Sequence, residues 1–306
     1  MLSIEKIAYA LPVTLLDVIN DYQKIGVTAA QAKVYHRLYG LQDIPTIVDH
    51  TELIDLFKYL GNSILAEEDN DLIKYIIHVH TGALISTFGN SLVNNIKMHC
   101  GLENAIAFGT SFNKCSSLFS ALEIAQNLLI GCKKRSRILI ISGEVAFNRD
   151  LKVVNGTTII GDAVGALVVS LNKSSNNIIA LNQMLDGNFA RGIWLSSVEI
   201  RNLEDITAKK VTTVVQQALS EANISLDDIK YVLPHNINIQ GWHKLALNVG
   251  IDINKVYLRM VSKTAHCFCS DFMINFVNIK NDMNLETDDY LLMISIGVGS
   301  IFSAAI

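Results

Sequence analysis

The chain has little charge, few cysteines and no long apolar run, and each of these absences excludes a class of protein. Charged residues make up 18% of the 306 residues and the formal net charge is −4, so no basic excess favours nucleic acid as a general partner. Five cysteines form no even disulfide framework in a chain of this length, which favours reduced thiols and a cytoplasmic location. No stretch reaches the roughly 18 to 20 apolar residues of a membrane span, and the apolar run at the N-terminus is too short for a signal peptide.

Apolar residues are abundant instead, and their spacing predicts an α/β protein. They make up 50% of the chain, which can therefore bury a large core as one big domain or as two fused halves. In the first half, periodicity predicts alternating helices and strands, which indicates a sheet covered on both faces. The predicted helices are Thr14–Ile25, Ala29–Leu38, Thr51–Leu65, Ser91–Met98 and a run that begins at Ser116. The predicted strands are Ile4–Leu11, Leu72–Val79, Ala105–Phe108 and Ile138–Ile141.

A similar order of elements returns after residue 155. The predicted elements are strands Gly161–Ser170, Ile178–Leu185, Ile229–Leu233 and Tyr290–Ile296, and helices Asp205–Ala222, Trp242–Asn248 and Cys269–Val277. The order of elements therefore predicts two halves of similar plan, residues 1–155 and residues 156–306.

Cys115 lies where a loop becomes the N-terminus of a predicted helix. Unpaired N–H groups and the positive end of the helix dipole favour an anion there, so the thiol is expected to ionise more easily and to gain nucleophilicity. The alternative is that Cys115 is a small buried hydrophobic residue, as single cysteines usually are.

Two histidines stand at comparable places in the second half. His235 follows a buried strand and Pro234, and His266 precedes a helix in the segment KTAHCFCSD. Side chains beyond the carboxyl ends of strands converge in one crevice of an open α/β sheet, so these residues are expected to meet Cys115. The combination suits acyl-thioester chemistry, because a cysteine can take the acyl group while an imidazole moves a proton and the N–H of Cys115 helps to form an oxyanion hole.

Metal and nucleotide sites are poorer interpretations of the same segments. His266, Cys267 and Cys269 lack the paired CxxC spacing of a zinc site, and the two cysteines are expected to be buried beside the active site. The segment GDAVGA, from Gly161 to Ala166, is too short for a dinucleotide fingerprint, so its glycines are expected to permit tight packing. No metal and no cofactor is expected.

Four segments together resemble the thiolase superfamily, and within it the β-ketoacyl-acyl-carrier-protein synthase III-like branch. The matching segments are Cys115 with the helix and strand that follow it, GDAVGA, PHNIN from Pro234 to Asn238, and GVG from Gly297 to Gly299. The resemblance covers essentially the whole chain and implies a thiolase-like α/β fold of five layers, αβαβα, with two similar halves and usually a dimer. It also implies that Cys115 accepts the acyl group, that His235 is catalytic and that the N–H groups of Cys115 and Gly299 form the oxyanion hole.

The segment AHCFCSD departs from the family's condensing enzymes. His266 stands where those enzymes usually carry an asparagine, and Asp271 follows five residues later. This arrangement is similar to the acyltransferase offshoot of polyketide and antibiotic pathways, which uses a Cys-His-Asp triad. His235 is nevertheless retained, so the Cys-His-His arrangement of synthases that decarboxylate a malonyl thioester stays open.

The resemblance implies an enzyme that loads an acyl group from acyl-CoA or an acyl carrier protein onto Cys115. The group would then pass to a second acceptor in fatty-acid, polyketide or other secondary-metabolite biosynthesis. A non-catalytic subunit that pairs with an active relative is the alternative from another class. Candidates for substrate contact are Arg37 at the mouth of a pantetheine tunnel, Asn238, and Phe88, which a dimer partner would push into the neighbouring pocket.

Overall fold

The computed structural model describes residues 1–66, 69–82, 91–154, 156–172 and 176–306. Its strands are β1 Leu2–Ala10, β2 Leu15–Asp17, β3 Asp43–Pro45, β4 Ile73–Val79, β5 Ile106–Thr110, β6 Arg137–Glu144, β7 Val153–Val154, β8 Thr158–Ile159, β9 Ala163–Ser170, β10 Asn177–Ile178, β11 Leu181–Leu185, β12 Ile229–Pro234, β13 Tyr290–Gly297 and β14 Ile301–Ala305. Its α-helices are α1 Tyr22–Ile25, α2 Ala29–Arg37, α3 His50–Ile64, α4 Asp69–Leu72, α5 Leu92–His99, α6 Ser117–Ile130, α7 Arg149–Lys152, α8 Ser197–Ala222, α9 Ile239–Val249, α10 Val261–Thr264 and α11 Asp271–Asp282.

The larger strands form two sheets that lie on either side of a helical layer. Within the described residues, the first sheet has the order β10-β1-β9-β6-β4-β5 and the second the order β11-β14-β13-β12. Helices α6 and α11 contact strands of both sheets, while α3 and α5 pack against strands of the first sheet and α8 against β11 and β14 of the second. The layers therefore run αβαβα, and the predicted α/β fold is confirmed.

Alternating side chains of the buried strands fill the two faces of the first sheet. Ile77 and Ile140 pack into the core between the sheets, whereas Ile76 and Ile141 pack outward against Phe57 of α3. Successive residues of a strand point to opposite faces, so a strand covered on both sides must be apolar throughout. This explains the unbroken apolar run at Ile138–Ile141.

The chain passes from the first sheet to the second between Ile178 and Leu181. Strand β9 lies in the first sheet between β1 and β6, and Ile178 pairs with Leu2 of β1. Leu181–Leu185 pairs with β14 in the second sheet, so the single strand predicted at Ile178–Leu185 is wrong. The first sheet includes β10, so the change of sheet falls after Ile178, while the two halves 1–155 and 156–306 stay a prediction.

The helix predicted at Thr14–Ile25 is also wrong. Leu15–Asp17 pairs with β3, and the Asp17 carboxylate then accepts hydrogen bonds from the N–H groups of Ile19 and Asn20 at 3.0 and 2.7 Å. Such local side-chain bonds offer the backbone an alternative to a helix. Only the short helix α1 follows, and it ends at Gly26 with φ +89°.

Helix α8 begins earlier than the predicted Asp205. Ser196 and Glu199 form a reciprocal capping box in which each side chain accepts a hydrogen bond from the other residue's N–H.

No helix in the described part of the chain is both long and apolar enough to cross a bilayer.

Candidate active site

Cys115 lies in a single 3₁₀ turn, Lys114–Ser116, that leads directly into α6. Lys114 has φ +53°, a left-handed conformation that non-glycine residues rarely adopt. The Ser295 hydroxyl of β13 donates to the carbonyl of Cys115 at 3.3 Å and accepts from the Ser116 hydroxyl at 3.0 Å. The Cys115 turn, which follows a strand of the first sheet, is therefore fixed to a strand of the second.

The three residues of the triad predicted from AHCFCSD lie in contact, and their catalytic roles stay a prediction. His266 Nε2 lies 3.2 Å from Cys115 Sγ, and His266 Nδ1 lies 2.5 Å from Asp271 Oδ2. All three side chains are buried. The imidazole thus bridges the sulfur and the carboxylate, the arrangement in which an aspartate orients a catalytic histidine.

Backbone N–H groups hold the carboxylate of Asp271 in place. Cys267 N–H donates to Oδ1 at 2.7 Å, and Asn236 N–H donates to Oδ2 at 2.6 Å. The Asn275 amide fixes the Asn236 segment in turn, because it donates to the Pro234 carbonyl and the Asn236 side chain at 2.7 and 2.9 Å. Asp271 therefore connects the His266 loop with the end of β12.

The charges around His266 favour its protonated form. Burial by itself lowers the pKa of His266, but the charge of Asp271 and the sulfur of Cys115 outweigh burial, and the pKa lies well above its ordinary value. A protonated His266 donates from Nδ1 to Asp271 and from Nε2 to Cys115. The donor Nε2 of the cationic ring lies 3.2 Å from the sulfur.

His235 is also buried at the site, but it makes a different set of contacts. Its Nδ1 accepts a hydrogen bond from Ile296 N–H at 3.0 Å, so the neutral ring carries its proton on Nε2. Burial, and then the charge of His266, lower the pKa of His235 well below its ordinary value. Within the described residues Nε2 has no partner, and the His235 and His266 rings are 5.6 Å apart. His235 is thus a neutral ring with a free N–H donor.

The segment GDAVGA packs tightly against the His266 loop. Gly161 N–H donates to the His266 carbonyl at 3.0 Å, and a Cβ at Gly161 would lie 2.2 Å from the Thr264 carbonyl oxygen. A Cβ at Gly165 would lie 2.9 Å from Ser142 Oγ. The prediction that these glycines permit close packing is confirmed.

The GVG turn packs against the loop that leads into Cys115. A Cβ at Gly297 would lie 2.6 Å from the carbonyl oxygen of Asn113, two residues before Cys115. Gly299 has φ +96°, a conformation that favours glycine. The oxyanion role of the Cys115 and Gly299 N–H groups stays a prediction.

The three candidates for substrate contact lie in different settings. Arg37 is exposed at the last residue of α2. The Asn238 amide caps α9, accepting from Gly241 N–H at 2.5 Å and donating to the Thr157 carbonyl at 2.7 Å. Phe88 lies outside the described residues. The substrate contacts of all three stay predictions.

Cys267 and Cys269 are buried beside the site, as predicted. The Cys267 thiol donates to the Thr264 carbonyl and the Cys269 thiol to the Lys114 carbonyl, each at 3.3 Å. Within the described residues, no group of three or more His, Cys, Asp and Glu side chains is arranged to hold a metal ion.

A cavity of about 20 Å³ adjoins the triad on the side of the helical layer. Its polar lining comes from Cys115, His235, Asp271 and Ser295, and its apolar lining includes Phe272 of α11. A space of this size holds about one water molecule. The inner side of the triad is therefore closely packed.

Sequence reasoning missed three buried polar residues next to Cys115, namely Thr81, Glu144 and Ser295. Thr81 Oγ1 lies 3.8 Å from Cys115 Sγ, and Glu144 accepts hydrogen bonds from the N–H groups of Thr81 and Gly82. The sequence signal for Glu144 was a single carboxylate at the end of the buried run ILIISGE. Charged residues are almost never fully buried without partners, so this position marked a specific contact.

Two sequence-family models match the two stretches of the chain that carry these residues. Residues 112–187 match the sequence model described as 3-oxoacyl-[acyl-carrier-protein (ACP)] synthase III, and residues 219–306 match that of 3-oxoacyl-[acyl-carrier-protein (ACP)] synthase III C terminal. Beta-ketoacyl-[acyl-carrier-protein] synthase III of Rickettsia bellii is 22% identical over 228 residues, which cover 71% of this chain and 71% of that protein.

Solved structures share the fold across almost the whole chain. ChlB3, described as an acyltransferase, has a TM-score of 0.83 at 18% identity, over 99% of this chain and 96% of that one. The 3-oxoacyl-[acyl-carrier-protein] synthase III of Aquifex aeolicus VF5 has a TM-score of 0.81 at 19% identity, over 100% of this chain and 99% of that one. At these identities the likeness shows the fold.

Proposed function

Because the chain belongs to the 3-oxoacyl-[acyl-carrier-protein] synthase III family, whose sequence models it matches over residues 112–187 and 219–306, we propose that it is an acyltransferase working through a Cys115-His266-Asp271 triad. The acyl donor is acyl-CoA or an acyl carrier protein, and the acyl group passes from Cys115 to a second acceptor. The observation that carries the proposal is the position of His266 between the sulfur, at 3.2 Å, and the Asp271 carboxylate, at 2.5 Å.

The first step of the proposed reaction loads the acyl group. The Cys115 thiolate attacks the thioester carbonyl, and the bond from that carbonyl to the donor's sulfur breaks. The departing thiolate takes the proton from His266 Nε2 and leaves as a thiol. His266 is then neutral, and Asp271 keeps its Nδ1 protonated, so Nε2 is free to accept a proton.

The second step transfers the group. The acceptor's hydroxyl, amine or thiol gives its proton to His266 Nε2 as it attacks the Cys115 thioester, and Cys115 leaves as the thiolate. This restores the starting charges. Neither step needs the Nε2–H of His235, a donor that has no partner among the described residues.

The same free donor supports decarboxylative condensation as a second candidate. If the acceptor is a malonyl thioester, loss of CO₂ leaves an enolate whose oxygen needs a hydrogen-bond donor. His235 is neutral and carries its proton on the atom that has no partner in the described residues, so it suits that oxygen. The carbanion would then attack the acyl group on Cys115.

Intact mass measures the loading step directly. After incubation with acetyl-CoA, malonyl-CoA or longer acyl-CoA, we expect the wild-type protein to gain the mass of one acyl group and Cys115→Ala to gain none. Cys132→Ala is the control, because Cys132 is a more exposed thiol than Cys115 and lies just after the other end of α6. It should be acylated like the wild type. No adduct with any donor, or equal adducts on wild type and Cys115→Ala, would contradict the proposal.

The exposed edge of the first sheet supports the homodimer that the family resemblance implies. Strand β5 ends that sheet and pairs with β4 alone among the described residues. Ile106 is 59% exposed and Phe112, just beyond the strand, is 88% exposed. An apolar edge strand is a template for pairing with another chain, and a second copy offers the same edge.

Phe112→Glu should weaken this dimer at least about tenfold, because it puts a charge at the apolar edge. Analytical ultracentrifugation over a range of protein concentrations measures the effect. Leu247→Glu is the matched control, since Leu247 is 81% exposed on α9, in the outer layer beside the second sheet. Equal dissociation of both variants, or a monomeric wild type, would contradict pairing through β5.

A further inference from the structure

Side-chain hydrogen bonds connect the chain segments just beyond the last backbone pair of β4 and β6. The two strands pair in parallel up to Val79 and Ser142. Beyond them, Glu144 accepts hydrogen bonds from the backbone N–H groups of Thr81 and Gly82, the second at 2.7 Å. His80 Nδ1 contacts the Gly82 carbonyl in the same turn. The carboxylate of Glu144 therefore fixes Thr81 and Gly82, the second and third residues after β4.

This fixed turn places a hydroxyl at the reacting sulfur. Thr81 Oγ1 lies 3.8 Å from Cys115 Sγ, and both side chains are buried. His266 reaches the same sulfur from the loop before α11. The sulfur therefore has a donor from the first sheet in addition to the imidazole from the second half of the chain.

We propose that Thr81 is a further catalytic residue, which donates a hydrogen bond to the Cys115 thiolate, and that Glu144 is the positioning residue that holds it there. The inference rests on the proposed function of Cys115 as a nucleophile. Thr81 acts whenever the sulfur carries charge, before acyl loading and again as Cys115 leaves in the transfer step. A thioester sulfur is a much weaker acceptor than a thiolate, so this bond favours the departure of Cys115.

The charged and titratable groups around the sulfur set the direction of the test. They are His266 with Asp271 behind it, Glu144 behind Thr81, and the thiol of Cys269. Burial raises the pKa of Glu144, and the N–H groups of Gly82 and Thr81, the Thr81 hydroxyl and the charge of His266 lower it by less. The hydroxyl has one proton, so it can serve Glu144 while the sulfur is a neutral thiol and donates to Cys115 when the sulfur carries charge. Removing the Thr81 donor disfavours the thiolate and leaves the charged groups in place.

The pH dependence of Cys115 alkylation by iodoacetamide tests the role of Thr81. We expect Thr81→Val to move the half-maximal pH upward by about one pH unit, a tenfold change in the thiolate equilibrium, and to slow acyl transfer about tenfold. Thr81→Ser keeps the hydroxyl and should restore both values. A Thr81→Val profile that coincides with the wild-type profile would overturn the proposal.

Glu144→Gln tests the positioning role by the sign of its effect. Gln keeps one acceptor but places an NH₂ group against the second backbone N–H, so it should release Thr81 and move the half-maximal pH upward. Loss of the Glu144 charge alone would favour the thiolate and move that pH downward. A downward or absent shift would overturn the positioning role. Iodoacetamide needs no acyl donor, so this result stands apart from the failure of acyl loading.

Discussion

Asp271→Asn should lower the rate of acyl transfer from Cys115 about a thousandfold to ten-thousandfold. The carboxylate accepts a hydrogen bond from Nδ1–H of His266. An amide can instead present its NH₂ group to Nδ1 and hold the ring in the other tautomer. Burial lowers the pKa of His266, and the charge of Asp271 is the largest of the effects that raise it. Removing that charge therefore lowers the pKa of His266. The imidazolium that supports the thiolate is then lost. Single-turnover transfer from acylated protein to the acceptor measures the effect.

His235→Ala is the matched comparison for Asp271→Asn. If the triad transfers the acyl group, His235→Ala should leave most of the transfer rate and should chiefly reduce decarboxylation of a malonyl thioester, followed as released CO₂. Equal and negligible effects of Asp271→Asn and His266→Ala would rule out the triad. A loss with His235→Ala as large as with Asp271→Asn would favour condensation instead.

Gly161→Ala should lower the free energy of unfolding by about 3 kcal/mol, because a methyl group there collides with backbone. The new Cβ would lie 2.2 Å from the carbonyl oxygen of Thr264, an atom that no rotamer change can move. The displaced segment carries His266, so acyl transfer should fall as well. Urea unfolding measures the stability change.

Gly187→Ala provides the control for this substitution. Its added Cβ would meet nothing within 4 Å, so its free energy of unfolding should stay within about 0.5 kcal/mol of the wild type. Equal unfolding midpoints for Gly161→Ala and Gly187→Ala would mean that the loop of Thr264 shifts freely, and that close packing at Gly161 does not hold His266.

The meeting of Cys115, His266 and Asp271 was expected because AHCFCSD resembles the segment of the acyltransferase offshoot that carries a Cys-His-Asp triad. From the residues alone, only the positions of Cys115 and His266 just before helices were predictable, and Asp271 is the first residue of α11. The pairing of Thr81 with Glu144 was not predictable, since it depends on the register of β4 and β6 beyond their last ladder bonds. Contacts of this kind depend on which strands pair and in which register, and the local sequence does not show either.

The errors in the fold have similar physical causes. The Asp17 carboxylate bonds to the next turn, which overrides the helical spacing of apolar residues at Thr14–Ile25. At Ile178–Leu185 the apolar run continues through the change of sheet, and no turn residue marks it. Apolar spacing reports burial there, and the partners on either side decide which sheet each residue joins.

The place of β1 in the first sheet sets the order in which the active site is assembled during synthesis. Leu2 pairs with Ile178 and Ser3 with Ser170, so β1 waits for partners that are made much later in synthesis. His266 is made later still. The nascent chain therefore carries Cys115 without its imidazole, and the sulfur gains its cationic donor only after a further 151 residues have been made.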